Sequence, residues 1–149
     1  MYKKILVGTD GSEPSTNAVK HAAGLAKSTG AGLLIVNVTE LWSALDVAHA
    51  TESGIRDPVE QYEKLADNAA EKTLNAAAEI AKQAGAACET LHVRDHAAAD
   101  GVVTAAKDNG CDLIVAGTHG RRGINRVILG SQAAKILHHS DIPVLVVRS

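Results

Sequence analysis

Residues 112–131 read DLIVAGTHGRRGINRVILGS, and this stretch decides both the fold class and the kind of ligand. Leu113 to Ala116 is a short apolar run ahead of a glycine-rich segment, the pattern of a buried strand. Gly117 and Gly120 follow, and after nine further residues comes Gly130-Ser131. From Leu113 to Ser140 there is no acidic residue, while His119, Arg121, Arg122, Arg126 and Lys135 all fall there. Glycines let a backbone approach a ligand closely and point its N–H groups at it. A strand, a glycine loop and a helix start at Ser131, with cations and no carboxylates, suit an anion such as a phosphate chain.

Working outward, strands and helices alternate. Residues 3–9 carry the continuous apolar run Ile5-Leu6-Val7, as in a sheet covered on both faces. Asp10-Gly11-Ser12-Glu13-Pro14 predicts a turn and a helix start, with Ser12 as N-cap and Pro14 in the first turn. Val19, Ala22, Ala23 and Ala26 recur at helical spacing up to Gly30. Leu33 to Val38 is a second strand. Thr39 to Arg56 shows no convincing period beyond a short helical turn. It is longer than most structureless loops and holds the only Trp, so a lid or partner contact is expected, with Leu41, Trp42 and Leu45 as its apolar face. The alternative is packing onto the next helix. That helix opens at Asp57-Pro58-Val59-Glu60 and runs to Gln83, with Tyr62, Leu65, Ala66, Ala69, Thr73, Ala76, Ala77 and Ile80 as the expected buried stripe. Cys88 to Val93 alternates and predicts an edge strand. Ala97 to Asp108 predicts a helix, with Ala98, Val102, Ala105 and Ala106 inward. A last helix runs from Ser131 to His138-His139, and a last strand from Ile142 to Arg148.

The chain has 149 residues, so one domain over 1–149 is expected. With aromatics at 2% and no Phe, the core must be Val, Ile, Leu and Ala. The same scarcity argues against a single-strand nucleic-acid binder, which needs stacking platforms. A net charge of -2 offers no basic field for DNA or an anionic membrane. No apolar run approaches a membrane span, and the N-terminus reads as a strand rather than a signal peptide, so no membrane insertion and a cytoplasmic location are expected. Cys88 and Cys111 read as reduced packing residues.

Alternating strands and helices predict an α/β domain with a parallel sheet, doubly wound, with helices on both faces. Ligands in such folds bind beyond the C-terminal strand ends where strand order reverses. Order 3-2-1-4-5 would set the Asp10 turn and the glycine loop facing each other across that crevice.

The spacing Gly117-x2-Gly120-x9-Gly130-Ser131, the opening KKILVGTDGS, the VNV closing the second strand, and the terminal IPVLVV together resemble the nucleotide-binding branch of the universal stress protein family. The resemblance covers the whole chain. It implies sheet order 3-2-1-4-5 and ATP as the usual ligand, with ADP or AMP as alternatives and Mg²⁺ as companion ion. By matching positions, Asp10 would contact the ribose, and backbone groups near Thr9 and Val38 would frame the adenine. Ala116, Gly117, His119, Gly120, Gly130, Ser131 and Gln132 would line the ribose and phosphates. Asn37 stands where the family often has His, and Asp95 where it commonly has Gly.

The residues leave alternatives open. Asp10 can be a turn residue, Gly130-Ser131 a helix cap and His119 a loop-stabilising imidazole. Arg121, Arg122 and Arg126 fit either a phosphate clamp or a solvated loop. No Walker lysine motif, metal-ligand set or positioned general base stands out, and no catalytic residue is assigned. The expectation is an ATP-binding stress-response protein that couples nucleotide occupancy to an unidentified protein partner. The alternatives are a slow ATPase and a dimeric interaction module with a structural nucleotide. The resemblance also implies a homodimer through antiparallel pairing of the last strand, Val144 to Val147, with a tetramer as the larger option.

Overall fold

A computed structural model of the chain describes residues 1–40, 43–94, 96–118 and 129–148. Its elements are β1 (Lys4–Gly8), α1 (Glu13–Thr29), β2 (Gly32–Thr39), α2 (Ala44–Glu52), α3 (Pro58–Gln83), β3 (Cys88–Arg94), α4 (Ala98–Asp108), β4 (Leu113–Gly117), α5 (Ser131–His139) and β5 (Val144–Val147). The five strands form one parallel sheet in the expected order, β3-β2-β1-β4-β5.

Strand side chains alternate between two cores. Ile5, Val7, Leu33, Ile35, Leu113 and Val115 point to one face, where α1 and α3 bring Val19, Ala22, Leu74 and Ala77. Leu6, Leu34, Val36, Ile114 and Ala116 point to the other, under Val102, Val103, Ala106 and Ile136 of α4 and α5. Ile5, Leu6 and Val7 are fully buried, so β1 is the spine of both layers. Each such side chain contributes about 2 kcal/mol by leaving water. The many alanines on the helices keep them close to the sheet, which suits a core without Phe.

Asp112 sets the start of the β1–β4 pairing. Its Oδ1 accepts from the N–H of Lys3 (3.1 Å) and Lys4 (3.0 Å), and its Oδ2 from Lys3 (2.9 Å). These backbone donors, Lys3 first, hold its carboxyl below the usual carboxylate range. Cys88 is half-buried and Cys111 buried; both are free thiols, pushed up by burial, as suits packing residues. Among the described residues no helix is long and apolar enough to cross a membrane.

Four expectations need correction. The 39–56 stretch contains a nine-residue helix, α2, started by a reciprocal cap: Asp46 N–H donates to Ser43 Oγ (3.1 Å) and Ser43 N–H to Asp46 Oδ2 (3.3 Å). Only Ala50 of α2 is buried, so no apolar period marks it in sequence. Leu45 is 66% exposed, and Leu41 and Trp42 lie outside the described residues. The α3 stripe is rotated. Its buried seam is Ala70, Leu74, Ala77 and Ala81, while Leu65 is 70% exposed and Ala69 and Ala76 face solvent. Small alanines fit the sheet better than the leucine that a hydrophobicity count selects. Asp57 does precede α3, but with φ 48 and no side-chain cap bond, so the chain enters α3 through a left-handed residue rather than a capped turn. On α4, Ala99, Val103 and Gly101 join the buried set and Ala98 is only half-buried.

Candidate functional site

A cleft of about 590 Å³ opens at the C-terminal ends of β1, β2 and β4, where strand order reverses. Eight of the ten sequence-predicted residues line it: Thr9, Asp10, Val38, Ala116, Gly117, Gly130, Ser131 and Gln132. His119 and Gly120 lie outside the described residues, as do Arg121, Arg122, Arg126 and Asp95. The volume lies in the range of small-molecule sites.

The turn after β1 is built from side-chain hydrogen bonds. Thr9 N–H donates to the Val36 carbonyl (2.9 Å), and the buried Asn37 donates its side-chain amide to the Thr9 carbonyl (2.8 Å). Both backbone groups of Thr9 are thereby fixed from β2. Asp10 Oδ1 accepts from Ser12 N–H (2.9 Å) and from the Ser15 hydroxyl (2.9 Å). Ser15 Oγ also lies 3.1 Å from Thr9 Oγ1 and accepts from Asp10 N–H (3.3 Å). Gly11 adopts φ 81, and its N–H donates to Thr9 Oγ1 (3.2 Å). Ser12 caps α1 as expected, accepting from Ser15 N–H (3.4 Å). Asp10 is therefore both a turn residue and a cleft residue, with its carboxylate orientation set by the turn.

After β4, backbone bonds join the described ends of the segment that leads to α5. Thr118 N–H donates to the Val147 carbonyl (3.0 Å), and Gly130 N–H to the Thr118 carbonyl (2.7 Å). These two bonds bring the start of α5 back beside the end of β4. The first turn of α5 is anchored by Ala134 N–H on the Gly130 carbonyl (3.0 Å). The N–H groups of Ser131, Gln132 and Ala133 have no carbonyl one turn earlier in the helix. All three residues line the cleft, and the first turn of α5 carries no acid. A helix N-terminus with its positive dipole end thus opens into the cavity.

The remaining wall is apolar and comes from α4, through Ala98, Ala99 and Val102, facing Val38 of β2. Glu40 stands at the rim, where its carbonyl accepts from the Tyr62 hydroxyl (3.0 Å) and so ties β2 to α3. Just outside, Thr39 Oγ1 and His92 Nε2 are 2.8 Å apart. The arrangement offers an acidic acceptor, an apolar slot and a set of backbone donors in one cavity, which is the chemistry of a nucleoside phosphate.

Sequence reasoning missed Ser15, Glu40, Thr118 and the α4 wall. Ser15 was legible only as part of a helix cap, because its role depends on the fold of Thr9 and Asp10 over it. The AAA run at 97–99 was readable as a helix start, but nothing local says that it faces a cavity. Asn37 proves to be a backbone clamp beneath the cleft rather than a cleft-lining group.

Residues 1–148 match the family described as "Universal stress protein family". The universal stress protein MJ0531 of Methanocaldococcus jannaschii is 31% identical over 148 residues, covering 99% of this chain and 83% of that protein. The solved structure of the hypothetical protein MJ0577 is 27% identical with a TM-score of 0.79, over 100% of this chain and 97% of the other. A universal stress protein solved in complex with cAMP is 29% identical with a TM-score of 0.70, over 99% and 97% of the two chains.

Proposed function

The chain belongs to the universal stress protein family, and we propose that it works in the cytoplasm as a single-domain ATP-binding regulatory protein whose nucleotide occupancy changes how it engages a protein partner. The observation that carries this reading is the convergence on one cleft of the Asp10 turn and the N-terminus of α5. A similar protein's complex with cAMP supports an adenine nucleotide as the ligand class.

In this reading the Asp10 carboxylate accepts from the ribose hydroxyls. The base lies in the apolar slot between Val38 and α4, framed by backbone at Thr9 and Val38. Gly117 allows close approach of the phosphates, and Ser131 and Gln132 bind them through backbone N–H groups, assisted by the Ser131 hydroxyl. His119 and Gly120 complete the phosphate end. Mg²⁺ would ride on the phosphate oxygens, since the first turn of α5 supplies no carboxylate for it. ADP and AMP fit the same contacts with fewer phosphate bonds. No residue is assigned to hydrolysis; slow ATP turnover is the alternative reading and requires a water-positioning group beyond those named.

A homodimer through β5 belongs to the same proposal. Val144 to Val147 form an edge strand, each half-buried, and an apolar edge invites pairing with a second copy. Calorimetry and light scattering on one purified sample test both parts. We expect Mg-ATP binding that a Gly117→Val/Gly130→Val double variant loses, and the mass of a dimer or tetramer. Absence of binding at millimolar nucleotide, or equal binding by the double variant, would overturn the nucleotide reading; a monomeric mass would overturn the interface.

A further inference from the structure

Gly101 sits in the interior of α4 and is buried, yet it is absent from the set of glycines with positive φ. Its backbone therefore does not require glycine, and helix propensity favours alanine there. The reason for glycine is space. A Cβ at this position would lie 2.6 and 2.9 Å from the two Cγ methyls of Val38, and 3.2 Å from His96 Cβ. Side-chain carbons do not approach so closely, so one partner would have to move.

Val38 has little freedom to give way. It is β-branched and stiff at χ1. Its strand neighbours are both anchored: Asn37 holds the Thr9 carbonyl at 2.8 Å, and Thr39 Oγ1 lies 2.8 Å from His92 Nε2. Val38 itself pairs with Val93 in the sheet. The new Cβ must therefore force Val38 off its preferred rotamer, or make α4 recede and carry Ala98, Ala99 and Val102 with it. All four of these residues line the cleft, while Gly101 does not.

We propose that Gly101 is the positioning residue that sets the width of the base end of the cleft, acting through Val38 and thereby admitting a purine. This rests on the nucleotide reading above and adds to it the element that determines which bases fit. The wall is a sandwich of two thin layers, a valine and a run of alanines, held apart by the missing side chain.

Calorimetry with Mg-ATP and adenosine, and competition by tripolyphosphate, test it on four proteins: wild type, Gly101→Ala, Val38→Ala and the double variant. One extra or missing methylene against a hydrophobic pocket wall is worth roughly 10- to 200-fold. We expect Gly101→Ala to weaken ATP and adenosine by at least about tenfold, with tripolyphosphate competition unchanged. Adding Val38→Ala should return ATP affinity to that of Val38→Ala alone, a strong non-additivity expected of touching residues. The double variant loses the two shortest contacts and keeps only the 3.2 Å approach to His96 Cβ, so it should fold even if Gly101→Ala does not. Equal ATP binding by Gly101→Ala and wild type would overturn the inference while leaving the nucleotide reading intact. So would a loss shared equally by tripolyphosphate, or a double variant no better than Gly101→Ala. A wild type that binds no adenine nucleotide would instead sink the nucleotide reading, and this inference with it.

Discussion

Among the described residues, the two sides of the cleft present different groups. After β1, four polar side chains (Thr9, Asp10, Ser12 and Ser15) bond one another within a few residues, and Asn37 clamps the turn from the neighbouring strand. After β4, the described contacts that bring α5 back are backbone bonds, Thr118 to Val147 and Gly130 to Thr118. The first turn presents a fixed side-chain acceptor; the second presents backbone donors. A ribose hydroxyl needs an acceptor at one point, whereas a phosphate chain needs several donors along a line. In the proposed reading, each side of the cleft carries the groups that its part of the nucleotide would need.

That contrast predicts where stability and binding separate. The largest effect should come from Asn37→Ala, which leaves the buried Thr9 carbonyl short of a donor and opens a small void. We expect a loss of about 2 kcal/mol in chemical denaturation, together with weaker nucleotide binding as Thr9 loosens. A stability change indistinguishable from zero would mean that the first turn holds itself without β2.

A paired comparison comes next. Ser15→Ala removes the hub of the first turn and should lower stability by about 1 kcal/mol. Gly130→Ala occupies a position with φ -59, an ordinary backbone for any residue, and should shift stability by no more than about 0.5 kcal/mol while still reducing ATP affinity. If the two variants are equally destabilised in thermal melts, the side-chain bonds of Ser15 do not distinguish the first turn from the Gly130 position.

The smallest effect lies at the end of β3, beside the first turn's clamp. Burial first, then Arg94, hold His92 below its ordinary value near 6.5, against the opposing pull of Asp67. Asp67 on α3 places Oδ1 3.7 Å from His92 Nδ1 and 2.7 Å from Arg94 Nη2, a close ion pair without a well-aligned hydrogen bond. Because the folded-state value is lowered, the unfolded chain takes up the proton first. The contribution is thus fully present above the unfolded value and is lost as the pH falls from about 6.5 through the lower folded value. Denaturation midpoints measured from pH 7.5 downward should fall in wild type, and less steeply in His92→Gln. Identical slopes would remove His92 from the account. The lowered carboxyl of Asp112 adds a separate loss at more acidic pH, by the same sign.

Much of the fold is legible in local patterns. The runs Ile5-Leu6-Val7, Leu33 to Val38 and Leu113 to Ala116 mark strands buried on both faces, and Ser12 marks the start of α1. The glycine spacing from Gly117 to Ser131 marks one side of the site. Three features were not legible, each for a physical reason. Helix α2 is held by a capping box and buries one alanine, so it leaves no apolar period. The seam of α3 uses Ala70 and Ala81, which the expected stripe lacks, while Leu65 stays exposed, because fit against a sheet depends on shape as well as on hydrophobicity. Ser15 and Glu40 reach the cleft only through the folding of the turn and the rim.

By itself the sequence determined the elements other than α2, their alternation and the two motifs that meet at the switch point, since these depend on residues close together along the chain. Tertiary structure alone decided how the motifs are supported. Asn37 reaches Thr9, α4 lies against Val38, and the absent side chain of Gly101 sets the gap between them. Such contacts join segments far apart in the chain, and their distances are set by close packing, which no local period encodes.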